Sequence, residues 1–121
     1  MPQEQAAAEE NYRRFIAQVR ESGEVWGLRS GPDWAYCESH EYEETDVLVF
    51  WSDRAAAQQH AQGEWKQHRP VAIPLEEFVD EWLLGMDKDR ALVGPNWGLE
   101  LDGLEVEPLD LADQLSEDEP T

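Results

Sequence analysis

Val47-Leu48-Val49-Phe50-Trp51 is an unbroken apolar run that stops at Ser52-Asp53-Arg54-Ala55, and the change from one to the other decides the fold. Five apolar residues, two β-branched and two aromatic, suit a buried strand. A Ser followed by an Asp and three alanines suits the start of a helix, where a side-chain oxygen accepts from N–H groups that have no partner within the helix. Ser52 is the expected cap, Asp53 favours the dipole of the first turn, and residues 55–61 carry the helix to an end near Gly63. A strand that runs straight into a helix predicts a mixed α and β domain.

Upstream, Ala8, Tyr12, Phe15, Ile16 and Val19 recur at helical spacing, and Glu9, Glu10, Arg13, Arg14 and Arg20 fill the other face. This amphipathic helix ends near Ser22-Gly23. A strand over 25–29, a turn at Ser30-Gly31-Pro32-Asp33 and a returning strand over 34–38 form a hairpin. Residues 38–46 hold five carboxylates and no Lys or Arg, which predicts a solvated loop.

Downstream, Arg69-Pro70-Val71-Ala72-Ile73-Pro74 is a short strand bracketed by prolines, which places it at an edge or makes it brief. Leu75, Phe78, Val79, Trp82 and Leu83 make one helical stripe against Glu76, Glu77, Asp80 and Glu81, ending near Gly85 or a turn later. A last short strand falls at 91–94. Between 100 and 119 there are nine acids and no base; Leu99, Leu101, Leu104 and Val106 are available to pack, and 108–115 forms a last short helix. The expected fold is α+β: a mostly antiparallel sheet of about four or five strands with three or four helices on one face. One domain spans 1–115, and 116–121 form a disordered acidic tail.

The chain of 121 residues is 40% apolar and has six Trp, three Tyr and three Phe, so it folds despite a formal net charge of −19. The single Cys37 cannot close an internal disulfide, and the Met1-Pro2-Gln3-Glu4 start resembles no export signal; both point to the cytoplasm. The apolar runs are far shorter than the roughly 20 residues of a membrane span. Twenty-eight acids against nine bases repel phosphate backbones and anionic lipid, so nucleic acid and membrane are not expected partners, whereas a basic protein is attracted.

No catalytic residue, cofactor or metal is assigned. Cys37 and His40, with Glu41 and Glu43, give half a metal site, but zinc takes about four ligands, there is no second Cys, and His60 and His68 belong to other segments. A Cys37 thiolate would lie among like charges, which disfavours nucleophilic catalysis. Acids four apart on one helix face do not oppose each other across a cleft, as a hydrolase requires. Pro95-Asn96-Trp97-Gly98 presents an amide and a flat ring in a loop, where ligands dock, although a tight turn with Trp97 folded onto the core is the favoured account. Trp34 or Trp65, if exposed, is the natural anchor of an interface.

The order of the Tyr12-x-x-Phe15 helix, Val25-Trp26-x-Leu28, Phe50-Trp51-Ser52, Pro74-Leu75-Glu76-Glu77-Phe78 with Trp82-Leu83, and Leu92-Val93-Gly94-x-Asn96-Trp97 resembles a bacterial family catalogued as domain of unknown function 2750, over roughly residues 10 to 115. The resemblance implies a small bacterial cytoplasmic protein, and it brings no catalytic residue with it. The chain departs from the family pattern in its acidic insert at 38–46 and at Val49, where Pro is common.

Two functional readings follow. The first is a non-enzymatic module that binds a basic protein, a toxin among the candidates, through the helix face of Glu76, Glu77, Asp80 and Glu81 or the loop of Glu41, Glu43 and Glu44. The second is a small-molecule binder or enzyme with a cleft at Trp51, Arg54, Asn96 and Trp97. A homodimer through a Trp-rich surface is a third arrangement.

Overall fold

The computed structural model describes residues 2–39, 42–97 and 103–116. Helix α1 (Pro2–Ser22) is followed by strands β1 (Glu24–Ser30), β2 (Asp33–Trp34), β3 (Tyr36–Glu38) and β4 (Asp46–Phe50). Helix α2 (Arg54–Gln59) and a 3₁₀ turn (Gly63–Trp65) lead to β5 (Arg69–Pro74). Helix α3 has three contiguous parts, Leu75–Glu77, a π turn Phe78–Trp82, and Leu83–Asp89. Strand β6 (Leu92–Pro95) and helix α4 (Pro108–Ser116) complete the fold. The expected α+β class is observed.

The strands form two three-stranded sheets, β2-β1-β5 and β3-β4-β6, rather than one sheet of four or five. All pairings are antiparallel except β4 with β6. The expected return strand 34–38 is divided at Ala35, which serves both sheets. Its N–H donates to Leu28 O at 2.9 Å, and its own carbonyl accepts from Val49 N–H at 3.5 Å. Trp26 and Trp51 then exchange two backbone hydrogen bonds of 2.8 Å, joining β1 to the residue just past β4. The proline-bracketed β5 pairs only with β1 and is an edge strand, one of the two readings its sequence allows.

The uninterrupted run 47–51 is apolar because both of its faces are covered. Successive strand side chains point to opposite faces. Val47, Val49 and Trp51 join a cluster with Ala57 of α2, Trp65 of the 3₁₀ turn, Leu92 and Trp97. Phe50 joins the other cluster, with Phe15 and Val19 of α1, Phe78, Leu83 and Met86 of α3, and Leu111 and Leu115 of α4; Leu48 packs against it. Helical elements therefore lie on both sides of β4, not on one.

Two local expectations are corrected. Asp53, not Ser52, caps α2, its carboxylate accepting from Ala56 N–H at 2.7 Å, while Ser52 is buried and committed elsewhere. The helix stops at Gln59, earlier than Gly63. In α3 the predicted stripe is correct: Phe78 and Leu83 are fully buried, and Leu75, Val79 and Trp82 pack at the margin of the core. Trp82 sets its ring edge-on to Trp34 (4.6 Å, 85°) and to Phe50 (5.8 Å, 89°). Arg90 closes α3 in the left-handed conformation, φ 62°. Val106 pairs with Val93. Leu99, Leu101 and the tail from 117 lie outside the described residues.

Candidate functional site

Trp51, Asn96 and Trp97 do come together, but inside the protein. Trp51 is 1% and Trp97 2% exposed. Trp51 Nε1–H donates to Trp97 O at 3.2 Å, and Trp97 Nε1–H donates to Leu104 O at 2.8 Å. Asn96, half-buried, accepts from Ser52 N–H at 2.9 Å through Oδ1 and donates through Nδ2 to Ser52 Oγ at 3.0 Å and to Asn11 O at 3.4 Å. The Ser52 hydroxyl donates to Gln18 Oε1. Here the amide and the two indoles make structure: they tie the end of β4 to α1 and to the turn after β6. Arg54 stands exposed at the start of α2, apart from this network.

A concave feature lies elsewhere on the surface of the described residues. An open groove of about 490 Å³ is lined by Tyr12 of α1, Tyr42 of the acidic loop, Leu92 of β6, the segment 104–107, and Asp110, Asp113 and Gln114 of α4. Among the described lining residues four are carboxylates, Glu105, Glu107, Asp110 and Asp113, and none is Lys, Arg or His. The placement follows from local structure. Leu111 and Leu115 turn into the core, which leaves Asp110, Asp113 and Gln114 on the outward face of α4. Val106 is bound to Val93 by reciprocal backbone hydrogen bonds of 2.9 Å, so Glu105 and Glu107, two residues apart in extended chain, flank it on one side.

Burial pushes the Tyr12 phenol above its ordinary value, and the neighbouring Asp110 carboxylate raises it further. The unfolded chain thus loses this proton at lower pH than the folded protein does. Tyr12 stabilises the fold below its unfolded value of about 10, and this contribution is lost as pH rises through the higher folded value. Urea titrations from about pH 8 to about pH 11 should show a shallower alkaline loss of stability in Tyr12→Phe than in the wild type.

Glu76, Glu77, Asp80 and Glu81 form an exposed face of α3, and Glu43 and Glu44 are exposed in the loop that supplies Tyr42; Glu41 lies outside the described residues. Trp65 is buried, and Trp34 is half-covered by Trp82 and by the Arg29 guanidinium 5.5 Å above its ring. The exposed aromatics are Tyr36 and Tyr42, at 55% and 57%. Cys37 is half-buried on β3, and among the described residues no three His, Cys, Asp or Glu are placed to hold a metal. None of the described helices is long and apolar enough to cross a membrane. Sequence reasoning named none of the groove residues as a site, its loop candidates Glu43 and Glu44 being neighbours of Tyr42 and not in the lining; the i, i+3, i+4 spacing of Asp110, Asp113 and Gln114 opposite Leu111 and Leu115 was the available signal.

The fold and the groove define a small α+β protein with an anionic surface cleft. The chain belongs to the family described as Protein of unknown function (DUF2750), whose family model matches residues 12–115. The match runs from the first groove residue, Tyr12, past the last, Gln114. No curated protein and no solved structure matches the chain.

Proposed function

We propose that the protein is a non-enzymatic cytoplasmic module whose acidic groove takes a cationic segment of a basic protein and so neutralises that segment. The observation that carries this reading is the groove lining: four carboxylates and two tyrosines from four separate segments, with no basic residue among the described residues that line it. A lysine or arginine side chain there meets carboxylates that it can pair with and aromatic rings whose faces attract cations. The net charge of −19 steers a basic partner towards the protein before contact.

The test is titration of a Lys- and Arg-rich peptide, with an acidic peptide of equal length as control, at about 50 mM and about 500 mM salt. The basic peptide should bind at low salt and weaken at least about tenfold at high salt. The double variant Glu107→Gln/Asp110→Asn should weaken low-salt binding by about tenfold, near 1.4 kcal/mol. Glu76→Gln/Asp80→Asn should bind as the wild type does. The opposite ranking would move the contact to the face of α3, and equal binding of both peptides would sink the electrostatic reading.

A further inference from the structure

We infer that residues 33–38 form an open strand edge that takes an extended basic segment of a partner protein as an added strand. The contact is separate from the groove, whose lining holds none of these residues, and it stands without that reading. Backbone pairing defines the edge. Ala35 N–H donates to Leu28 O at 2.9 Å, and Ala35 O accepts from Val49 N–H at 3.5 Å. Asp33 lies opposite Ser30, Cys37 lies opposite Val47, and Ser39 N–H donates to Thr45 O at 2.8 Å. The odd-numbered residues thus turn their backbone groups inward, first to β1 and then to β4, along one continuous stretch shared by both sheets. Backbone groups alternate sides along a strand, so those of Trp34, Tyr36 and Glu38 point outward. Among the described residues nothing pairs with them, because β2 and β3 are each the outer strand of their sheet.

The opposite edges of the two sheets are closed. Leu75 N–H donates to Gly23 O at 2.8 Å, and in that register the outward residues of β5 are 70, 72 and 74, of which Pro70 and Pro74 have no N–H to offer. The outer side of β6 is taken by Val106, which exchanges bonds of 2.9 Å with Val93.

Charge selects the occupant. Glu38 stands directly opposite Asp46 in the β3–β4 ladder, both are exposed, and like charges so placed repel. The sequence between Arg29 and Arg54 contains no Lys or Arg. A Lys or Arg on an added strand, across from Glu38, supplies the missing cation, and Tyr36, 55% exposed on the same face, packs against the side chain two residues along. A second copy of this chain brings the same carboxylate pair and a net charge of −19, and is repelled.

The experiment is amide hydrogen exchange at residues 34, 36 and 38 with a peptide of about eight residues alternating Lys and Val. A version N-methylated at every residue keeps the charge and donates no backbone hydrogen bond. The plain peptide should slow exchange at Tyr36 and Glu38 by about tenfold, and the N-methylated one should leave it unchanged. Glu38→Gln should bind the plain peptide several-fold more weakly, whereas the groove variant Glu107→Gln/Asp110→Asn should show the same edge protection as the wild type. Equal binding of both peptides with the edge amides unprotected overturns the inference, because charge alone then holds the peptide. Binding that the groove variant loses, again with the edge amides unprotected, also overturns it and leaves the groove reading standing. Edge protection that needs no peptide and rises with protein concentration makes a second copy the occupant and overturns it too.

Discussion

Trp97→Ala is expected to destabilise the protein by about 3–5 kcal/mol, a large part of the roughly 5–15 kcal/mol that holds a domain of this size folded. The ring is 2% exposed, and its loss leaves a cavity beside Trp51 together with an unpaired Leu104 carbonyl. The ring is also clamped between two glycines. A Cβ on Gly94 would lie 2.6 Å from Trp97 Cε2 and 2.7 Å from Nε1, and a Cβ on Gly103 would lie 2.6 Å from Cδ1. Both contacts are with a large, rigid side chain that has nowhere to go. Gly94→Ala should thus cost about 1–3 kcal/mol or more by overpacking, but much less when introduced into Trp97→Ala. Urea denaturation followed by circular dichroism measures all three variants. Independent, additive losses would show that the contact between Gly94 and the indole does not determine the residue at position 94.

Asn96→Ala is expected to cost about 2–4 kcal/mol, from two separable sources. Asn96 has φ 50°, a conformation that an Ala resists by about 1–2 kcal/mol. Its side chain satisfies Ser52 N–H at a position where Ser52 is only 5% exposed, and an N–H left without an acceptor there costs about 1–3 kcal/mol. Asn96→Gly accepts the backbone conformation but not the hydrogen bond. The difference between the Ala and Gly variants, measured by the same denaturation, reports the backbone part. Equal stability of Asn96→Gly and the wild type would show that the side-chain network adds nothing.

The elements most legible in the sequence were those set by local periodicity. The stripe Leu75, Phe78, Val79, Trp82 and Leu83 foretold α3, and the prolines at 70 and 74 marked β5 as an edge strand or a brief one, of which the edge is observed. Residues 34–38 were harder. Alternation marks them as extended chain but does not state their partners, and Ala35 is where the partner changes from Leu28 to Val49. At Ser52-Asp53 both residues are good caps, and only the tertiary demands of Gln18 and Asn96 on Ser52 leave the task to Asp53. For Trp51, at the end of an apolar strand, and for Trp97, in a turn, core packing was the favoured account over a ligand face, and both indoles are buried. The groove draws on residues near 12, 42, 105 and 110, and no short window of sequence contains more than two of these places.

The double hydrogen bond between Trp26 and Trp51, with Ala35 shared between the sheets, has a consequence for how the molecule comes apart. Neither sheet can peel away while the other stays intact, because separating them breaks backbone bonds that belong to both. Residues 26, 35 and 51 act as a common seam, which makes the two sheets a single cooperative unit rather than two small ones.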